Sequence, residues 1–222
     1  MKMHVDYFDN DIIFTNDKIV SIEIGNKIYF YRFVKDLVNF ESNVDNENIL
    51  FFDNDKNINQ KISVFIDFFN FDFNNKKTIG NINKYLCENI LDEDKVSITK
   101  LYDKILKKYN YLLNDIDLPL NIDCNIDFET ITKNMKITIN SKDSLLDNLF
   151  LIIDIESFFK TNTILFFINL KNYLSDAEIN EFYKYAIYNN VKIVMVDSHL
   201  HSNKKEFECK YTIDKDLDEF VI

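Results

Sequence analysis

The sequence predicts an α/β fold: a mainly parallel sheet forms a head, and an α-helical leg is inserted into it. Three observations predict it. Apolar runs at 48–53, 163–169 and 191–197 have the length of strands and little polar interruption, as in strands covered on both faces. Helical stripes lie beside these runs, at 27–41 and from Ser175 onward, and strands alternating with helices imply parallel pairing. From about Lys56 to Asn140 no buried parallel strand can be read and helical stripes take over. The head is therefore expected to span 1–56 and 143–222, and the leg 57–142.

The first two strands are expected at 12–15 and 19–24. In the second, Ile19, Ile22 and Ile24 are interleaved with Ser21 and Glu23. The chain then turns at Gly25-Asn26 into a helix whose Phe30, Phe33, Val34, Leu37 and Val38 recur on one face. In nucleotide-binding α/β proteins this turn carries several glycines and often a lysine, so that backbone N–H groups wrap a phosphate. Here Gly25 is one of only two glycines in the chain, and no G-x-x-x-x-G-K-[ST] occurs. The frame is that of a degenerate P-loop protein without its Walker A motif. A buried strand follows at 48–53.

In the leg, Ile79, Ile82, Leu86 and Ile90 form one helical stripe. Ile98, Tyr102, Ile105, Tyr109 and Leu112 form another, with the alternating four-three steps of a coiled-coil seam. A helix at 144–159 leads back to the head and to the strand at 163–169. Ser175-Asp176-Ala177-Glu178 is a capping box, followed by a stripe of Ile179, Phe182, Tyr183, Ala186 and Ile187. The strand at 191–197 and a short one near 211–213 precede an acidic tail.

Composition narrows the function. The chain has 222 residues, 46% of them hydrophobic, with 21 Phe and 12 Tyr to fill a core. Its net charge of −11 argues against a protein that coats nucleic acid or an anionic membrane, while leaving room for a local basic patch. Cys87, Cys124 and Cys209 are too scattered for a disulfide framework or a zinc motif. His4, Asp6, Asp9 and Asp11 interrupt any signal sequence, and no apolar stretch approaches the roughly 20 residues of a membrane span. A soluble cytoplasmic protein is expected.

Several polar groups are candidates for chemistry. Asp115, Asp117, Asp123, Asp127 and Glu129 crowd around Pro119, the only proline, and clustered carboxylates suit calcium. An EF-hand is excluded, because Phe128 and Asn134 stand where its glycine and glutamate belong. The competing reading makes Asp127 a helix N-cap. Lys76, Lys77, Lys104, Lys107, Lys108, Lys133, Lys136, Lys204 and Lys205 either form wet helix and loop surface or follow a phosphate backbone. Asp53 and Asp197 end apolar strands as a Walker B aspartate would, though without a lysine-bearing loop they read as strand-end caps. Asp197, His199 and His201 alternate along one segment that could face a metal or simply be a loop.

The order of several segments resembles a known family, the ring-forming accessory proteins of type II-A CRISPR adaptation. In the second half the resemblance rests on Ile164-Leu165-Phe166-Phe167-Ile168-Asn169-Leu170, then Tyr173-Leu174-Ser175 with Glu178, and the strand ending at Asp197. It continues in the closing Ile213-Asp214-Lys215-Asp216-Leu217 and, in the middle, in Leu120-Asn121-Ile122-Asp123 with Asp127, Glu129 and Ile131. The resemblance implies an α/β head related to P-loop ATPases, without ATPase activity, and a helical leg. It implies a calcium-dependent homotetrameric ring through which double-stranded DNA passes from free ends. The partners implied are the CRISPR integrase complex and the RNA-guided nuclease, with no membrane. On this resemblance the calcium ligands are expected at Asp123, Asp127 and Glu129. A ring would point Lys76, Lys77, Lys107, Lys108, Lys133 and Lys136 at DNA. Two other readings stay open: a divergent metal-dependent nuclease or NTPase using Asp53, Asp197 and the acidic stretch, and an interaction scaffold whose leg is a dimerisation arm.

Overall fold

The computed structural model describes residues 1–44, 47–120, 127–201 and 205–222. In chain order its elements are β1 (Lys2–Val5), β2 (Ile12–Ile13), β3 (Ile19–Ile24), α1 (Lys27–Glu41), β4 (Ile49–Asp53), β5 (Lys56–Ile58) and β6 (Ile62–Phe65). Then come α2 (Lys76–Asn89), α3 (Asp92–Leu113), α4 (Phe128–Asn134) and α5 (Leu145–Phe159). The chain ends with β7 (Ile164–Ile168), a 3-10 turn (Leu170–Tyr173), α6 (Asp176–Tyr188), β8 (Ile193–Asp197), β9 (Glu208–Ile213) and β10 (Glu219–Val221). These elements form two compact units, Met1–Phe71 with Lys142–Ile222, and Asp72–Ser141.

The first unit is mixed α/β. Its main sheet has six strands in the order β10-β9-β3-β8-β7-β6, with β9, β3, β8, β7 and β6 parallel and β10 antiparallel at one edge. A smaller antiparallel sheet, β2-β1-β4-β5, belongs to the same unit. One core joins the two sheets through α1: Val20, Ile22, Ile24, Phe166, Val194 and Val196 share it with Met3, Val5, Ile49, Phe51, Phe33 and Leu37. On the opposite face of the main sheet, Phe167 meets Phe182 of α6 edge to face at 5.4 Å. α6 begins with the expected capping box: Ser175 N–H donates to Glu178 at 2.8 Å and Glu178 N–H donates to Ser175 Oγ at 3.4 Å.

The structure corrects several expectations. A parallel strand does lie within 56–140: β6 pairs with β7, register Ile62↔Ile164, and residues 57–71 belong to the α/β unit rather than to the leg. Its four residues alternate weakly, so no run of apolar side chains announces it. β1, β5 and β10 are also unforeseen, and the strand expected at 12–15 is only the pair Ile12–Ile13. These are short pieces of three or four residues or fewer, stabilised by long-range pairing that a local pattern does not carry.

The second unit is helical, and its side chains are sparsely buried. α2 buries none of its residues, α3 only Leu106, and α4 Ile131 and Thr132. Of the whole chain's described helices, none is long and apolar enough to cross a membrane.

Candidate functional site

The turn after β3 is where a nucleotide-binding protein of this layout would hold phosphate, and here it is closed by its own residues. Asn26 is the N-cap of α1, and its Oδ1 accepts from the N–H groups of Ile28 at 3.0 Å and Tyr29 at 3.3 Å. Asn26 Nδ2 donates to the Lys215 carbonyl at 3.1 Å, and Gly25 N–H donates to the Ile213 carbonyl at 2.7 Å. The donors an anion would use at a helix N-terminus are thus partly taken within the chain. A Cβ on Gly25 would sit 3.4 Å from Leu200 Cδ1 and 3.5 Å from the Ile213 carbonyl oxygen, ordinary contact distances.

Beneath that turn lies the most unusual arrangement of the molecule, a cluster of buried charges. β3 presents Ser21 and Glu23 to the face opposite the main core, and register puts Glu23 beside Asp197 and Ser21 beside Lys210. Glu208 enters from the start of β9, and Lys171 reaches in from the 3-10 turn after β7. Glu23, Asp197, Glu208, Lys171 and Lys210 are all buried. Lys171 Nζ lies 2.9 Å from Glu208, 3.4 Å from Glu23 and 3.5 Å from Asp197, and donates to Ser21 Oγ at 2.7 Å. Lys210 Nζ lies 2.8 Å from the second oxygen of Glu23. Tyr183 of α6 donates its hydroxyl proton to Glu208 at 2.8 Å.

Two cations face three carboxylates, and the surplus falls on Asp197. Neither of its oxygens makes a hydrogen bond among the described residues. Burial pushes its carboxyl up to about 6, against the pull of Lys171. Burial also opposes the Glu208 charge, but Lys171, the Lys205 N–H and Tyr183 outweigh it and hold that carboxyl below its ordinary value. Lys171 is raised despite its desolvation, because the carboxylates of Asp197, Glu208 and Glu23 surround it. It is therefore a fixed ammonium ion.

The cluster also grips the connection between β8 and β9. Glu23 accepts the His201 N–H at 2.8 Å, Lys210 donates to the His201 carbonyl, and Glu208 accepts the Lys205 N–H at 3.0 Å. Asn169, in a left-handed conformation with φ 58°, accepts from the N–H of Ser198 at 2.8 Å and ties the ends of β7 and β8 together. Chemically this is an internal salt lock, with the Lys171 ammonium placed among carboxylates that would otherwise repel each other.

The sequence-read candidates fall elsewhere. Asp197 is part of the lock rather than a free strand-end cap, and Asp53 ends β4 in the smaller sheet, so the two do not share one strand-end row. His199 contacts Ser198, whereas His201 is partly buried, with burial holding its imidazole below the ordinary value. Asp123 and Lys204 lie outside the described residues. Asp127 is the N-cap of α4, its Oδ1 accepting the Thr130 N–H at 2.7 Å, and that bond leads in lowering its carboxyl. Glu129 pairs with Lys133 at 2.6 Å along the same helix. Among the described residues no three His, Cys, Asp or Glu side chains gather as a metal site. Lys76 and Lys77 open α2, Lys107 and Lys108 lie on α3, and Lys136 follows α4 with φ 51°, all of them exposed.

Sequence reading misses Lys171, Glu208 and Lys210 altogether. The available signal is a polar pair, Ser21 and Glu23, inside a strand that otherwise reads as apolar.

A comparison with curated proteins finds no match. The family profile described as CRISPR-associated protein (Cas_Csn2) matches residues 41–217, which include β4 and β6, the helical unit and the elements that carry Lys171, Asp197 and Glu208. A match over so much of the chain settles kinship: the protein belongs to the CRISPR-associated Csn2 family.

Proposed function

We propose that this chain is a non-enzymatic, ring-forming protein that binds the ends of double-stranded DNA without reading sequence and supports spacer acquisition in type II-A CRISPR adaptation. Membership of the Csn2 family carries the CRISPR-associated part of that reading. The observation that favours a passive body is the turn at Gly25-Asn26, where the α1 N-terminus is capped by Asn26 and no glycine-rich loop precedes it. A head descended from P-loop ATPases would lose nucleotide binding through this change. Lys171 and its partners Glu23 and Glu208 then tie the sheet together without performing a reaction.

DNA contact falls to exposed lysines drawn from Lys76, Lys77, Lys107, Lys108, Lys133 and Lys136. Symmetry would repeat each one around a central hole, so few per subunit suffice to follow phosphates. The deciding experiment compares linear duplex with covalently closed circles of the same sequence. A ring threads linear DNA from its ends, so the linear form binds much more tightly. Equal binding of the two forms contradicts end-loading, and turnover of ATP or DNA with Mg²⁺ would favour the nuclease or NTPase reading.

Calcium is proposed at the acidic stretch, with Asp123, Asp127 and Glu129 as ligands. As folded, Asp127 and Glu129 are engaged by Thr130 and Lys133, so binding requires them to exchange these contacts for the ion. The substitution Asp127→Asn is informative because Asn caps helices as well as Asp does while removing a charge. Calorimetry with calcium should show weaker binding for Asp127→Asn at unchanged helix content. Unchanged affinity takes Asp127 out of the shell.

A further inference from the structure

The outer face of α1 carries charge that its own helix does not need. The helix has no acidic residue in its first turn and no basic residue in its last. Lys27 opens it instead, where the helix dipole favours negative charge. Lys27, Arg32 and Lys35 are all exposed, and among the described residues none of them forms an ion pair. The carboxylates of α1 leave this charge unbalanced. Asp36 is buried and accepts from Tyr7 and Asn48, and Glu41 accepts the Val64 N–H. Three uncompensated cations on one helix stand out in a chain of net charge −11.

The same face is also apolar. Ile28, Tyr31, Arg32 and Lys35 recur at steps of three, one and three, the spacing of one helical stripe. Ile28 is 78% and Tyr31 68% exposed. The opposite face, with Phe33 and Leu37 in the core, is what holds α1 to the unit, so the outer stripe has no part in that packing. Arg32 is the chain's only arginine, and its guanidinium carbon stands 3.9 Å from the centre of the Tyr7 ring. Tyr7 is itself fixed, donating its hydroxyl proton to Asp36 at 3.0 Å. A guanidinium already stacked on a ring loses little freedom when its planar fork takes a carboxylate.

This chemistry selects the occupant. The unpaired cations call for an anionic partner, and Ile28 and Tyr31 call for an apolar one. A duplex backbone supplies only the first. The backbone hydrogen bonds of α1 are spent within the helix, so a strand cannot add to it, and a partner must pack by side chains, ridge into groove. From Lys27 to Lys35 the stripe runs about 12 Å along the axis, room for about two turns of a second helix. We propose that the outer face of α1 docks an acidic amphipathic helix of another protein. The partner's apolar residues sit on Ile28 and Tyr31, and its carboxylates are held by Arg32 and Lys35. Neither the ring nor the DNA reading is needed for this contact.

The test follows the fluorescence anisotropy of a labelled synthetic peptide of about five helical turns, with Leu at three-four spacing flanked by Glu, as the full chain is added. The wild type should bind it, and should bind a scrambled peptide of the same composition about tenfold more weakly. Ile28→Ser and Arg32→Gln should each weaken binding about tenfold, as anchors of an interface do, with circular dichroism unchanged because both positions are exposed. Arg32→Lys should also weaken it, since the charge stays and the fork is lost. Duplex binding and self-association of the same variants should match the wild type. A wild type that ignores the peptide, or takes the scrambled one equally well, would overturn the proposal. So would a parallel loss of duplex affinity in the variants, which would give the face to DNA, or a loss of self-association, which would give it to a second copy.

Discussion

Asp197 shows how one side chain can set the pH behaviour of a whole sheet. It is 2% exposed, and its folded value, about 6, stands above that of a carboxyl in the unfolded chain. The sign follows from linkage: the raised group's contribution is full below the unfolded value of about 4 and is lost as pH rises through about 6. Ionised at pH 8, Asp197 is a cost that Lys171 only partly offsets. We therefore expect Asp197→Asn to be more stable than wild type at about pH 8, by about 1–3 kcal/mol, with the advantage vanishing by about pH 4. Urea unfolding of the two proteins across that range checks it, and a difference that does not change with pH would show that Asp197 is not titrating there. Little of this was legible beforehand. The alternation of β3 marks Ser21 and Glu23 as polar residues among apolar ones but carries no sign that both are fully buried. Their partner Lys171 stands 150 and 148 positions away, and no local pattern reports an ion pair closed over that distance.

Elements were read well where their signals are local. The capping box of α6 was visible as Ser175 and Glu178, and the structure forms both of its reciprocal bonds. Losing the hydroxyl should cost about 1 kcal/mol, so Ser175→Ala should lower the unfolding midpoint in a thermal melt; an unchanged midpoint would mean that the start of α6 is held by packing alone. α1, α5, β7 and β8 were legible for the same reason, since each carries a stripe or an apolar run within its own length. β6 was not. It has four residues at the sheet edge and pairs only with β7, which is 102 positions later, so its existence depends on a neighbour rather than on its own composition. The left-handed turns were hidden for a different reason. Neither glycine has a positive φ, and Asn43, Asn54, Asn162, Asn169 and Asn190 take that conformation instead, so the usual glycine markers of chain reversal are missing.

At the scale of the whole molecule, acidity and the proposed DNA binding pull in opposite directions, and salt separates them. Each chain carries a net charge of −11, so subunits approaching one another repel, and each also repels a phosphate backbone outside its lysine patches. Screening weakens both forces, with a Debye length of about 10 Å at 0.1 M salt. For the proposed ring, this diffuse repulsion would oppose assembly, so in divalent-free buffer self-association should strengthen as salt rises. The proposed duplex binding would depend on lysine–phosphate contacts that release counterions, and its affinity should fall with a log–log slope of about −0.9 for each phosphate neutralised. Calcium bound to the acidic stretch would remove part of the repulsion at source, and assembly in its presence should then depend less on salt while DNA affinity keeps its slope. Sedimentation and fluorescence anisotropy on the same salt series measure the two curves. Opposite trends identify an acidic body carrying a discrete basic track; DNA affinity that ignores salt would mean the lysines are not in contact with phosphate.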